Sequence, residues 1–256
     1  MKIVFLGTGT SVGVPMIGCD CPVCTSSDPR NRRCRSSLYV AVAGMHVVVD
    51  TPPDFREQML RYRIPRIDAV LFTHSHADHI FGFDDIRRYN TLQRAAIPAY
   101  ASAATVADLK RVFNYVNTEE VPGVHRPRVE FIAVDEPFDA GAIRVTPVTV
   151  EHGAAPTFGY RLDAGGRSLG YVPDCARLPD ESVAQLAGTD VMILDALRFT
   201  PHSTHLTVAQ SLAYLARIGA RRSFLIHVTH DVEHARTQDF LPPGVDLSYD
   251  GLTLDW

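Results

Sequence analysis

The chain has 256 residues, 46% hydrophobic and 21% charged, an ordinary composition for a folded protein with a sizeable core and one that excludes a disordered chain. Its formal net charge of −4 argues against a broad nucleic-acid-binding surface, so no large nucleic acid is expected as a partner. The apolar start at residues 1–6 is too short for a signal peptide and no stretch is long enough to span a bilayer, so a cytoplasmic protein with no membrane partner is expected. No linker rich in glycine, serine or proline divides residues 1–256, which read as a single domain.

Residues 2–6 read as a buried strand. Gly7-Thr8-Gly9-Thr10-Ser11-Val12-Gly13 follows, a loop with backbone freedom for a close approach; it is either a phosphate cradle or a plain turn. Cys19, Cys21 and Cys24 come next, and three thiols this close can close around one tetrahedral zinc if a fourth ligand arrives, Cys34 and His230 being the candidates. Five cysteines so distributed fit metal binding in a reducing compartment better than a disulfide framework, with free thiols as the alternative. Arg30, Arg32, Arg33 and Arg35 form a basic cluster that is either a solvated loop or an attractor of phosphate.

Residues 37–43 and 46–49 look like a hairpin about Gly44, and its second strand ends at Asp50, placed either to orient a ligand histidine or to cap a turn. Residues 53–61 have helical spacing, with Phe55, Met59 and Tyr62 as the core stripe. The apolar residues 69–72 read as a buried strand that delivers Thr73-His74-Ser75-His76-Ala77-Asp78-His79, with a helix continuing over residues 77–89. In extended backbone His74 and His76 point the same way, while Asp78 and His79 lie after the turn and face a neighbouring position. One pair per metal follows, and imidazoles with carboxylates suit a dinuclear centre of zinc, manganese or iron. A strand near residues 98–100 and a helix over 105–116 carry no evident chemistry.

Residues 129–134, 143–150, 158–162 and 168–172 form a second strand-rich run, with a hairpin turn at Gly165-Gly166. Strand after strand ends in a ligand type: His152 after 143–150, Asp174 after 168–172, Asp195 after 191–194 and His227 after 224–226. These ends are expected to collect at one rim. Residues 207–218 read as an amphipathic helix, and the tail at 247–254 as a hairpin about Asp250-Gly251.

With His74-x-His76-x-Asp78-His79, His152, Asp174 and His227 in this order, nearly the whole chain resembles the metallo-β-lactamase superfamily of hydrolases. The resemblance implies an α/β fold, the αββα sandwich of two mixed β-sheets face to face with helices on the outer faces. It also implies that His74, His76 and His152 hold one divalent metal, that Asp78, His79 and His227 hold another, both zinc or manganese, and that Asp174 bridges them. A bridging aspartate rather than cysteine is the pattern of its phosphodiesterases and thioesterases. The glycine opening, the Cys19-x-Cys21-x-x-Cys24 knuckle and His227-x-x-His230 are similar to the phosphoribosyl cyclic phosphodiesterase family and to tRNA 3′-processing nucleases. That likeness implies one structural zinc on Cys19, Cys21, Cys24 and His230, and a general acid at His205. The glycine- and proline-rich arm with which long tRNA-processing enzymes grip tRNA is missing.

The expected reaction is hydrolysis of a small cyclic or nucleotide-type phosphodiester, with Asp78, Asp174 and His205 carrying catalysis. Two cations lower the pKa of a shared water to make hydroxide available, and a histidine outside the metal set protonates the departing alkoxide. His202 shares a loop with His205, and the resemblance alone favours the latter. Rival readings are RNA 3′-end processing, thioester or lactone hydrolysis, a di-iron redox centre, and an idle metal-binding module that senses a nucleotide. A homodimer is left open.

Overall fold

In the computed structural model, residues 1–117 and 125–255 are described. Side chains along each strand alternate between the two faces of its sheet, and in the central strands both faces are buried, which makes them continuous apolar runs. In β1 (Lys2–Gly7), Ile3 and Phe5 face the other sheet while Val4 and Leu6 face the helices. Three apolar layers result, one between two sheets and one outside each.

The first sheet joins β1 to β2 (Ser37–Val42), β3 (Met45–Val49), β4 (Ala69–Leu71), β5 (Ile97–Ala101) and β6 (Val129–Ala133). The second runs β7 (Phe138–Ala140), β8 (Ile143–Val150), β9 (Thr157–Ala164), β10 (Arg167–Val172), β11 (Val191–Asp195), β12 (Arg222–Ile226) and β13 (Val245–Leu247). Each sheet changes from antiparallel to parallel pairing along its width, at β3/β4 and at β10/β11. Since β8 and β10 both run antiparallel to β9, the carboxyl ends of β8, β10, β11 and β12 share one edge. Tyr160 on β9 donates its hydroxyl to Phe72 O at 2.7 Å, and Phe158 N donates to Thr73 O at 2.9 Å, so the second sheet holds the end of β4 against that edge.

Helices α1 (Phe55–Arg61), α3 (Ile86–Gln93) and α4 (Ala103–Val112) cover the first sheet, and α5 (Asp180–Leu186) and α6 (Val208–Ile218) the second. The α6 N-terminus carries a full capping box, in which Thr207 Oγ1 accepts from Gln210 N and Gln210 Oε1 accepts from Thr207 N, and Gly219 ends the helix with φ of 66°. The αββα sandwich expected from the sequence is the fold observed.

Two expectations change. The helix expected over residues 77–89 is broken into α2 (Ala77–Ile80), a 3₁₀ turn and α3. Gly82 sits at the break, where a Cβ would lie 2.2 Å from Pro52 O, so the chain turns to pack against α1 rather than run on. The expected terminal hairpin does not form: β13 pairs with β12 in the second sheet and β14 (Thr253–Asp255) with β1 in the first. The Asp250-Gly251 turn instead links the sheets, with Gly251 N donating to Phe5 O at 2.7 Å. The structure also adds α7 (His234–Gln238), too short and too polar to show in the periodicity.

Candidate metal centre

The two histidines of the β4 end are separated from Asp78 and His79 by the start of α2, whose N-cap is His76. Two groups of donor atoms result. His74 Nε2 and His152 Nε2 stand 2.8 and 3.4 Å from His76 Nδ1. On the other side His79 Nε2 is 3.3 Å from Asp78 Oδ2 and 3.0 Å from Asp174 Oδ2, while His227 Nε2 is 3.8 Å from Asp78 Oδ2 and 3.0 Å from Asp174 Oδ1. Donors at about 2.1 Å around a tetrahedral cation stand about 3.4 Å from one another, so both groups fit a divalent ion. Buried His79 Nε2, His227 Nε2 and Asp174 Oδ2 have no hydrogen-bond partner among the described residues, which is the pattern of atoms aimed at a shared ligand. Asp174 faces His79 and His227 of the second group, and its carboxylate also lies within 4.8 Å of ring nitrogens of His74 and His152 of the first, so it stands between the two groups.

The charges agree. Burial pulls His79 down, but the carboxylates of Asp174, Asp50 and Asp78 override it and hold its imidazolium form well above the usual range. Burial pushes Asp174 up, and His227 with His79 more than reverses that, so the carboxylate stays ionised. A site that stabilises positive charge at His79 among ionised carboxylates accepts a cation in the proton's place. His74 is lowered well below its ordinary value, chiefly by burial and then by His79, which leaves it a neutral donor.

A further set of groups fixes the ligands. Asp50, at the end of β3, accepts from His79 Nδ1, Thr73 N and Thr73 Oγ1, each at 2.8 Å, so of its two readings it is the orienting one that the structure bears out. Asp50 and His227 both have φ of 62°, a left-handed backbone that branched and long side chains avoid and that clusters at functional sites. His152 Nδ1 donates to Thr204 O at 2.8 Å. Ser75 donates to Asp108 Oδ2 at 2.6 Å, which ties the motif to α4, an element whose sequence showed no chemistry.

His205 lies beside this cluster, its ring stacked 4.8 Å from that of His227 at 13°. Its Nδ1 donates to Asp195 Oδ2 at 3.0 Å, and the same oxygen accepts from Cys175 N and Leu206 N. Asp195 therefore fixes the tautomer and leaves Nε2 as the free nitrogen. Burial lowers the pKa of His205 against the pull of Asp174 and Asp78, which makes its imidazolium the stronger acid. Asp195 was visible in the sequence only as one more acidic strand end; its pairing with His205 is a tertiary fact. His202 is exposed, its Nδ1 accepting from Thr204 within its own loop.

The second cluster is the knuckle. Cys19, Cys21 and Cys24 place their Sγ atoms 3.2, 3.4 and 3.6 Å from His230 Nδ1, as four ligands of one zinc require. Backbone N–H donation from Cys24 is the main reason the Cys21 thiol falls to about 6, while burial pushes Cys24 up to about 11. Cys34, the other fourth-ligand candidate, is not in this cluster; its backbone N donates to Asp250 Oδ2.

In the glycine loop, Gly9 N donates to Cys34 O, Thr10 N to Val228 O and Gly13 N to Thr10 O, so these three donors are committed within the chain. A Cβ at Gly7 would lie 2.0 Å from Arg35 O, so the glycines serve close packing. Of the basic cluster, Arg33 is buried and donates to Thr8 Oγ1, Ser248 O and His234 Nδ1, while Arg30 and Arg35 pair with Asp28 and Asp54.

Two facing mixed sheets with a histidine- and aspartate-lined cluster at their common edge define a metal-binding αββα protein, and the family model for the beta-lactamase superfamily domain matches residues 45–228. The chain belongs to that superfamily, and within it is PhnP-like. A solved structure described as a new diphosphatase from the PhnP family is 41% identical, with a TM-score of 0.91 over 100% of this chain and 97% of that one. The Zn²⁺-bound PqqB of Methylobacterium extorquens is 25% identical, with a TM-score of 0.81 over 100% of both chains. An octanoyltransferase of Porphyromonas gingivalis is 33% identical over 98% of this chain, which spans only 51% of that protein. Among the described residues no helix is long and apolar enough to cross a membrane.

Proposed function

We propose that the protein hydrolyses a small phosphodiester, cyclic or nucleotide-type, with two divalent cations as cofactors and a third, structural zinc in the knuckle. When bound, the cation pair supplies an activated water and neutralises phosphoryl oxygens. His74, His76 and His152 would hold one cation and Asp78, His79 and His227 the other, with Asp174 standing between the two groups. His205, its Nδ1 proton committed to Asp195, donates from Nε2 to the departing oxygen.

The observation that carries this reading is the Asp195–His205 pair beside the cluster. An alkoxide is too basic to leave unprotonated, whereas a thiolate leaves readily without an acid, so a positioned donor favours phosphodiester over thioester hydrolysis. The 41% identity to a diphosphatase supports phosphorus as the centre attacked. Neither PqqB nor the octanoyltransferase names such a reaction, and half of the latter lies outside the match.

The test is a panel on metal-analysed protein: a cyclic nucleotide, an alkyl phosphodiester, a thioester and a lactone. Turnover of the diesters well above that of the acyl substrates is the expected result; a preference for thioester or lactone would replace this reading with acyl hydrolysis.

A further inference from the structure

Between Asp195 and His205 the chain leaves the site and returns to it. Leu197 N donates to Leu206 O and Val208 N to Arg198 O, both at 3.0 Å, so residues 199–205 form the tip of a closed loop. The returning side is fastened to the site twice, by Thr204 O to His152 and by His205 to Asp195. On the outgoing side, Arg198 donates from Nε to Thr200 O at 3.2 Å and from Nη2 to Pro201 O at 3.0 Å, which fixes how the tip presents Phe199.

Phe199 is 46% exposed, and it contacts Phe240, which is 55% exposed, with ring centroids 5.8 Å apart and planes tilted by 52°. Among the described residues this is the one contacting pair in which both rings belong to exposed phenylalanines. Tilted at this angle, the rings cover each other only in part and leave aromatic surface open, with Phe199 on the segment that runs from Asp195 to His205. Aromatic surface left open on the segment that carries His205 is surface on which a planar ring can stack. A phosphate at the cluster and a planar ring on these phenylalanines describe one molecule, and base-on-aromatic stacking tolerates any base because each has a π-face.

We infer that Phe199 and Phe240 are a stacking platform for the base of a nucleoside phosphodiester, and that this platform selects nucleotides over base-free sugar phosphates. The inference rests on the proposed reading for where the phosphate sits, and its test uses no turnover. Metal-loaded protein is titrated calorimetrically with AMP and with ribose 5-phosphate, which share the phosphate and differ by the base. AMP is expected to bind roughly ten- to a hundredfold more tightly, with that ratio falling toward one in Phe199→Ala and Phe240→Ala and returning in Phe199→Trp. Leu92→Ala, which shortens an exposed side chain on α3, is the control and keeps the wild-type ratio.

Equal affinities in the wild type, no measurable binding of AMP, or a ratio that survives both alanine variants would each overturn the platform. Failure to hydrolyse any phosphodiester would remove the proposed reaction, and the titration would still report whether the base is recognised.

Discussion

The histidine–aspartate cluster and the knuckle are both built from side chains with metal-ligand chemistry, yet they are assembled in opposite ways. The knuckle takes three ligands from a six-residue stretch, Cys19 to Cys24, and one from afar, and three of the four are only partly buried. The histidine–aspartate cluster draws on the ends of β4, β8, β10 and β12 in two sheets, and His74, His79, His152, Asp174 and His227 are all buried. Three imidazoles at the site have a dedicated partner: Asp50 for His79, Thr204 O for His152, Asp195 for the neighbouring His205. A structural ion needs ligands that close around it, whereas a catalytic pair needs ligands held still while substrate binds and leaves. The difference teaches that local spacing suffices for the first task and a rigid scaffold is required for the second.

The most direct way to break the comparison is to remove the carboxylate that spans both halves of the cluster. Asp174→Ala should abolish hydrolysis and reduce metal content from about three per chain toward one, the knuckle zinc remaining. Wild-type turnover with full metal content in that variant would end the bridging role.

His205→Ala comes next in size. It should cost on the order of 10²–10⁴ in turnover of a cyclic or alkyl phosphodiester and far less for bis(nitrophenyl) phosphate, whose leaving group departs unprotonated, with metal content unchanged. Asp195→Asn should show the same substrate pattern, because it disturbs the tautomer and not the metals. Equal losses on both substrates would return His202 or a bound water as the proton source.

The knuckle is tested by Cys24→Ser, which should remove about one metal per chain, lower the thermal midpoint and leave the catalytic pair in place. At this chain length each 2 kcal/mol lost lowers the midpoint by roughly 4–8 °C. If the variant lost all its metal while folded, or none, the two sites would not be separate.

The smallest effect sharpens how the knuckle side is fastened. Buried His234 accepts from Arg33 Nη2 at 3.1 Å, and burial together with the Arg33 charge lowers its pKa from 6.5 to about 4. The unfolded chain therefore binds a proton that the folded chain refuses between about pH 6.5 and 4, so stability falls as pH drops through that window. Relative to a His234→Gln variant, the wild type should lose up to about 3 kcal/mol between pH 7 and 4, read by urea unfolding at each pH. Asp250 nearby is raised to about 6, mainly by burial, and shifts stability in the opposite sense in both proteins, which is why the difference is the quantity to measure. A difference that is flat with pH would show that His234 is not held neutral.

Much of the centre was legible in the chain because its ligands end apolar strands. His74, His152, Asp174 and His227 each follow such a run, and strands that share a direction in a sandwich must release their next residues at one edge. The spacing of Cys19, Cys21 and Cys24 was equally plain, since a knuckle is a local object. What the sequence by itself determined was therefore the periodicity of the layers and the identity of the donors. The tertiary structure alone decided the pairings that no spacing encodes: Asp195 with His205, Ser75 with Asp108, and Phe199 with Phe240. It also decided that Arg33 is buried rather than solvated, and that the last two strands part into different sheets. The physical reason is the same in each case. Hydrophobic periodicity and ligand spacing act along the chain, whereas hydrogen bonds between distant side chains depend on which surfaces meet once the two sheets have closed on their common core.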